Sequence, residues 1–254
     1  MTTPSEPVQS NFRISEIYES IQGEGLLTGT PSIFVRTSGC NLRCWFCDTR
    51  FASWEPEGNY QSNAQILDTC RSWTAKHIVL TGGEPMIYKA LPRLTQAFRR
   101  EGWHLTIETA GTIDLPVECD LMSLSPKLAG STPSVQIDPN KRDGSRGASP
   151  TWAAAHNRRR ERLEVVASLM DRYDYQLKFV VNDHDDADEL LQYLTRLAKV
   201  AGSIDRERVM VMPQGTDSAT LDRQAEWLLP WCQNHQVRFC PRAHIHWFGD
   251  RRGT

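Results

Sequence analysis

Apolar and polar side chains alternate along residues 12–20 (FRISEIYES), the period-two pattern of a strand with one buried face. Residues 32–36 (SIFVR) predict a second strand, with Gly23, Gly25 and Gly29 punctuating the turn region between them. No periodicity holds from Gly39 to about Asn59, which predicts a loop. A helix is expected over 62–73, a short buried strand over 77–81 (HIVLT), a helix over 85–100 and a strand over 104–108 (HLTIE). Residues 122–125 predict a further strand end. Residues 129–150 are rich in Gly, Pro, Ser, Asp and Lys without periodicity, and predict a mobile surface loop. Helix 151–170, strand 176–181, helix 187–200, strand 208–212, helix 220–235 and strand 237–240 complete the order. Apolar strands alternating with helices imply βα units and a helix-covered parallel sheet, here as one α/β domain over 1–254. In such folds the functional loops lie beyond the carboxyl ends of the strands.

Composition narrows the class. Lys plus Arg is 29 against 31 for Asp plus Glu, so bulk charge does not point to a polyanion partner. No apolar run approaches the roughly 18–20 residues of a membrane span, and residues 1–10 lack the basic and apolar stretches of an export signal. A soluble cytoplasmic protein is expected, and its seven cysteines then sit in a reducing compartment, where metal or catalytic thiols are commoner than disulfides.

The strongest motif is Cys40-Asn-Leu-Arg-Cys44-Trp-Phe-Cys47, soon after the second strand. Three soft thiolates within eight residues suit an iron–sulfur cluster or zinc. A [4Fe–4S] cluster normally takes four cysteines, so three would leave one iron open for a substrate or cofactor. Zinc would need a fourth ligand, and the candidates are His77, thirty residues on, and Cys70, inside a predicted helix. Cys70, Cys119, Cys232 and Cys240 are spaced irregularly and read as ordinary buried thiols.

Thr81-Gly82-Gly83-Glu84-Pro85 follows a strand; its glycines permit close backbone approach, and Thr-x-x-Glu also suits a capping box. Glu108-Thr-Ala-Gly111, Ser125-Pro126-Lys127 and Met212-Pro213-Gln214-Gly215 each end a predicted strand, a rim position. Arg36 shares a strand face with Phe34, which points to a buried anionic partner.

The C-x3-C-x2-C run with Phe46 before its last cysteine resembles the radical S-adenosylmethionine (SAM) superfamily, as does the GGEP turn. Ile21-Gln22-Gly23-Glu24-Gly25, Arg36 and Cys47-Asp48-Thr49 narrow the resemblance to the 7-carboxy-7-deazaguanine synthase family of queuosine and 7-deazapurine biosynthesis. The resemblance spans nearly the whole chain. It implies a partial (β/α)6-like TIM barrel, standard or modified, and a lyase converting 6-carboxy-5,6,7,8-tetrahydropterin to 7-carboxy-7-deazaguanine with loss of ammonia. It also implies a [4Fe–4S] cluster, SAM, Mg²⁺, an electron donor such as flavodoxin or ferredoxin, and a homodimer, with no nucleic-acid or membrane partner.

Motif by motif, the resemblance assigns the cluster to Cys40, Cys44 and Cys47, and Mg²⁺ to Thr49. SAM would meet Phe46, Cys47, Asp48, Gly83, Glu108, Ser125, Pro126, Lys127, Met212, Pro213, Gln214 and Gly215. The pterin would meet Ile21, Gln22, Gly23, Glu24, Arg36, Thr81 and His244. A threonine at 49 also suits a turn cap. The family tail commonly reads Pro-Gln-Leu-His where this chain has Pro241-Arg-Ala-His244, so His246 competes with His244. No motif covers residues 129–157, and Arg158, Arg159, Arg160 and Arg162 read as a solvated helix face, the implied substrate being a free pterin. Two other readings compete: a glycyl-radical-enzyme activating enzyme, which needs neither IQGEG nor CDT, and a non-catalytic Fe–S electron carrier, which needs a fourth nearby cysteine.

Overall fold

In the computed structural model, residues 11–135 and 148–254 are described. Among these residues nine strands form one sheet in the order β3-β1-β2-β4-β5-β6-β7-β8-β9. The long first strand β1 (Asn11–Ile21) runs antiparallel to β2 (Pro31–Thr37) on one side and to the short β3 (Asn59–Ser62) on the other. From β2 onward every neighbour is parallel: β4 (His77–Gly82), β5 (His104–Thr109), β6 (Leu121–Leu124), β7 (Tyr175–Val181), β8 (Val209–Pro213) and the two-residue β9 (Arg238–Phe239).

The crossovers are helical, as the alternating pattern requires. They are α1 (Arg50–Ser53), α2 (Asn63–Arg71), α3 (Leu91–Arg100), α4 (Pro150–Arg160), α5 (Leu163–Arg172), α6 (His184–Ala201) and α7 (Ser218–Asn234), with α8 (Ala243–Phe248) after the last strand. One crossover departs from the rule: β5 reaches β6 with no helix between them. The edge strands β3 and β9 do not pair, so the barrel stays open. Loops bridge the gap, because Gly25 N–H donates to Cys240 Sγ (3.2 Å) and Ala243 N–H to Gly23 O (2.9 Å).

Burial explains why the strands were readable. Ile78, Val79 and Leu80 of β4 and Leu177 and Phe179 of β7 are fully buried, as strands covered on both faces should be. Leu94 and Phe98 of α3 and Leu190, Tyr193, Leu194 and Leu197 of α6 recur at helical spacing and pack into the same apolar cluster.

Four expectations change. The loop expected over 39–59 contains α1 and runs into β3, whose exposed Asn59 and Tyr60 show no apolar alternation; pairing with β1 makes it a strand. The helix expected over 85–100 begins only at Leu91, after a 3-10 turn at Pro85–Ile87. Pro92 suits the first turn of a helix, but within a longer one its ring would clash with the carbonyl four residues back. The helix expected over 151–170 breaks into α4 and α5 at Glu161, which turns extended and pairs with Arg196 (3.1 Å). Of the loop expected over 129–150, residues 136–147 lie outside the described residues; its flanks form a 3-10 turn at Ala129–Ser131 and the start of α4.

His77 sits at the amino end of β4, bonded to Ser32 Oγ (2.7 Å) and Thr106 Oγ1 (2.8 Å). It therefore ties β2, β4 and β5 together at the end of the sheet opposite the cysteines. Cys70 is buried within α2. Neither supplies a fourth zinc ligand.

Candidate active site

A cavity of about 470 Å³ opens at the carboxyl ends of the parallel strands. The cysteine loop leaves β2 at Thr37 and is anchored where it departs. Gly83 N–H donates to Thr37 O (3.1 Å), Glu84 N–H to Gly39 O (2.9 Å) and Gly39 N–H to Ala52 O (2.7 Å). A Cβ on Gly82 would lie 2.1 Å from Thr37 O, and one on Gly83 would lie 2.2 Å from Gly39 O. The two glycines thus let β4's exit press against the loop backbone. Glu84 does not complete a capping box with Thr81. Its buried carboxylate accepts from Met86 N–H (3.0 Å), Thr109 Oγ1 (2.7 Å) and Ala110 N–H (2.8 Å), tying β4's exit to β5's.

Cys40, Cys44 and Cys47 all line the cavity. Burial pushes the Cys40 and Cys44 thiols up to about 12, with Glu84 adding to the effect at Cys40. Such thiols ionise when a metal takes the proton's place. Leu42 N–H donates to Cys40 Sγ (3.3 Å), and Ser53 Oγ lies 3.0 Å from Cys47 Sγ. Among the described residues no three His, Cys, Asp or Glu side chains converge on a single-ion position. A four-iron cluster asks for a different arrangement, one thiolate per iron around a wider centre. Three soft donors on one cavity wall fit that group.

The described flanks of residues 129–157, a stretch silent in the sequence, brace the cysteine loop. His156 is buried, accepts Arg43 N–H at Nδ1 (3.1 Å) and contacts Ser131 Oγ at Nε2 (3.0 Å). Trp45 Nε1 donates to Gly130 O (2.7 Å), and Trp54 Nε1 donates to Cys44 O (3.1 Å). Arg160 is no solvated side chain: it reaches Lys127 O and Glu189 (both 3.3 Å).

The cavity floor is a charge network. Lys178 of β7 is buried and bridges Glu24 Oε2 (3.0 Å) and Glu108 Oε1 (2.8 Å). Thr81 Oγ1 donates to the other Glu108 oxygen (2.9 Å). Arg242 is buried with a left-handed backbone (φ 52°) and donates to Glu24 Oε1 (3.0 Å), Asp48 Oδ2 (2.5 Å) and Gly215 O (2.7 Å). Burial opposes ionisation of Glu24, but Lys178 and Arg242 outweigh it and hold the carboxyl well below its usual range. Burial likewise disfavours charge on Lys178, and Glu108 and Glu24 keep it protonated. Glu24 is therefore a fixed anion that only accepts hydrogen bonds.

Arg36 lines the same cavity. Its anionic partner is Glu16 (Nε to Oε1, 2.7 Å), and Nη2 donates to the Tyr18 hydroxyl (2.9 Å). His244 rests on Gly23, where an added Cβ would meet its ring at 2.5 Å, and burial lowers its pKa towards the neutral imidazole. His246 turns away to Asp222 (2.9 Å) and does not line the cavity. Thr49 precedes α1, yet its side chain makes no cap bond, so the turn-cap reading fails. Its hydroxyl lies 3.8 Å from Cys47 Sγ and faces the cavity.

Ile21, Gln22, Gly23, Glu24, Thr81, Phe46, Asp48, Gly83, Glu108, Ser125, Lys127, Met212 and Gln214 also line the cavity, whereas Pro126, Pro213 and Gly215 do not. Sequence reasoning missed Lys178 and Arg242. Lys178 had a signal, a charge between Leu177 and Phe179 of an apolar strand. Arg242 had none beyond its departure from the family tail.

An open, mostly parallel sheet with three cysteines and a GGEP turn at the carboxyl ends of its parallel strands defines a radical SAM enzyme, and the pattern of the Radical SAM superfamily matches residues 34–141. The 7-carboxy-7-deazaguanine synthase of Rhodopirellula baltica is 43% identical over 247 residues, covering 97% of this chain and 90% of that one. Its counterpart from Halobacterium salinarum is 44% identical over 243 residues, covering 95% and 92%. The chain belongs to the 7-carboxy-7-deazaguanine synthase family. The fold matches the crystal structure of QueE from Escherichia coli with a TM-score of 0.60 at 23% identity, covering 90% of this chain and 92% of that one.

Proposed function

We infer that the protein is a radical SAM carbon–nitrogen lyase that converts 6-carboxy-5,6,7,8-tetrahydropterin to 7-carboxy-7-deazaguanine with loss of ammonia. The observation that carries the reading is the meeting of Cys40, Cys44 and Cys47 with a fixed, ligand-facing charge network in one cavity. The cluster and SAM, when bound, supply the hydrogen-abstracting radical and take the hydrogen back, so SAM is recycled.

The chain's own residues bind and orient. Cys40, Cys44 and Cys47 hold the cluster, while Asp48, Glu108, Ser125, Lys127 and Gln214 line the space offered to SAM. Ionised Glu24 accepts from donors on the pterin edge. Gln22 spends its carbonyl on Glu24 N–H (3.0 Å), which leaves its amide NH2 to donate. Arg36 offers the cavity Nη1, which meets no acceptor among the described residues, and thereby attracts the substrate carboxylate. Neutral His244 closes the substrate side. Thr49 offers a hard hydroxyl oxygen of the kind Mg²⁺ takes while keeping substrate and water oxygens; the ion there would act as a Lewis acid on developing charge. A reduced carrier such as flavodoxin or ferredoxin, a homodimeric state and a cytoplasmic setting complete the reading on family resemblance. Among the described residues no helix is long and apolar enough to cross a membrane.

Electron paramagnetic resonance on anaerobically reconstituted, reduced protein tests it. SAM should change the cluster signal, and the pterin should then be consumed in molar excess over SAM with no protein partner present. A signal indifferent to SAM would favour the electron carrier, and SAM cleavage that needs a second protein would favour the activating enzyme.

A further inference from the structure

The cluster loop has two sides. Its inner side faces the cavity, which SAM and the pterin fill under the function inferred above, so an electron must enter from the outer side. There, three consecutive carbonyls of the loop carry guanidinium groups. Arg43 Nη1 donates to Cys40 O (2.8 Å) and Leu42 O (2.7 Å), and Arg159 Nη1 donates to Asn41 O (3.1 Å). Both guanidiniums flank one indole, Trp152, with Arg43 4.0 Å and Arg159 5.9 Å from the ring centroid. Trp152 is 37% exposed, and Arg158 and Arg159 are exposed in the last turns of the same helix, α4.

Among the described residues none of Arg43, Arg158 and Arg159 has a carboxylate partner, although Arg160, the next residue, is paired with Glu189 (3.3 Å). In a chain of net charge −2 this concentration of unpaired cations is local, not background. Charge left unpaired around an exposed aromatic ring suits a transient docking face, where complementary charge sets the encounter rate.

We propose that Arg43, Arg158, Arg159 and Trp152 form the docking face for an acidic one-electron carrier protein. The proposal rests on the function inferred above and adds where its reductant binds. In the step itself, one electron passes from the reduced carrier to the oxidised cluster; the carrier is oxidised by one electron, the cluster is reduced by one, and no bond forms or breaks.

The test uses holoenzyme and a reduced acidic flavodoxin as the probe. Calorimetry reads the affinity and stopped-flow absorbance reads cluster reduction, each at low and moderate salt. Arg158→Glu/Arg159→Glu should weaken binding and slow reduction at least tenfold at low salt and remove most of the salt dependence, within the about 10–10³-fold range of electrostatic steering. Arg158→Glu alone keeps every loop hydrogen bond and should show a smaller effect in the same direction. Turnover with dithionite, which needs no docking, should persist in both variants. Equal affinity and equal salt dependence in wild type and double variant would overturn the proposal. So would a parallel loss of dithionite turnover, which would make the patch a brace for the loop, or binding of an RNA oligonucleotide with carrier kinetics unchanged. If the wild type accepts electrons from the carrier yet forms no product with dithionite, the function fails and the docking face stands.

Discussion

Arg242 and Lys178 divide Glu24 between them, each holding one of its carboxylate oxygens. Because Arg242 also holds Asp48, next to the last cluster cysteine, one side chain joins the turn after β1, the cluster loop and the turn after β8. Arg242→Gln, the residue common in the family tail, should leave Glu24 with Lys178 alone and Asp48 without its ion pair. Removing one partner of a buried charged hydrogen bond costs about 1–3 kcal/mol, at the lower end here because Asp48 remains 41% exposed. The variant should melt earlier and show a KM for the pterin raised roughly tenfold, yet still load four irons per chain. An unchanged melting temperature and KM would show that Arg242 does no more than fill space. Thr49 offers a cleaner separation. Since its side chain caps nothing, Thr49→Val should change stability by less than about 0.5 kcal/mol while abolishing Mg²⁺ stimulation of turnover. Full Mg²⁺ stimulation in the variant, measured with the cluster spectrum intact, would remove Thr49 from the metal site.

At the scale of elements, two buried histidines hold structure that the sequence does not announce. His77 links three strands and His156 links α4 to the cluster loop, and burial pushes both down to about 4. An unfolded chain protonates its histidines near 6.5. On acidification from about 6.5 towards 4 the unfolded state therefore takes up protons that the folded state refuses, so stability falls through that window and is unaffected above it. Carboxylates titrate in the lower part of the same range, so the informative quantity is a difference. The gap in melting temperature between wild type and His77→Gln should narrow as pH falls from 7 to 4.5; a constant gap would show that His77 protonates equally in both states.

The elements also show what a sequence discloses. Strands buried on both faces, such as β4, are apolar runs and readable as such. An exposed edge strand like β3 has no such run and owes its form to β1. The helix split at Leu91 was readable in principle from Pro92, because proline tolerates only a first-turn position. The break at Glu161 was not: no Gly or Pro marks it, and the ion pair that Glu161 makes with Arg196, 35 residues on, exists only in the folded chain.

For the whole molecule, an open, mostly parallel sheet brings residues as far apart in sequence as Glu16 and Thr254 to one cavity. Short contiguous motifs revealed the cysteine loop and the turns after the strands. The two cations that set the charge of Glu24 come singly from distant segments, Lys178 from β7 with only a lone charge in an apolar strand to mark it, and Arg242 from the tail with no local pattern. What the assembled cavity does is most directly read from its product. Anaerobic holoenzyme supplied with SAM, dithionite, Mg²⁺ and 6-carboxy-5,6,7,8-tetrahydropterin, followed by mass spectrometry, should yield 7-carboxy-7-deazaguanine with one ammonia released per product. Protein carrying a full four-iron cluster that returns the pterin unchanged would contradict the assignment.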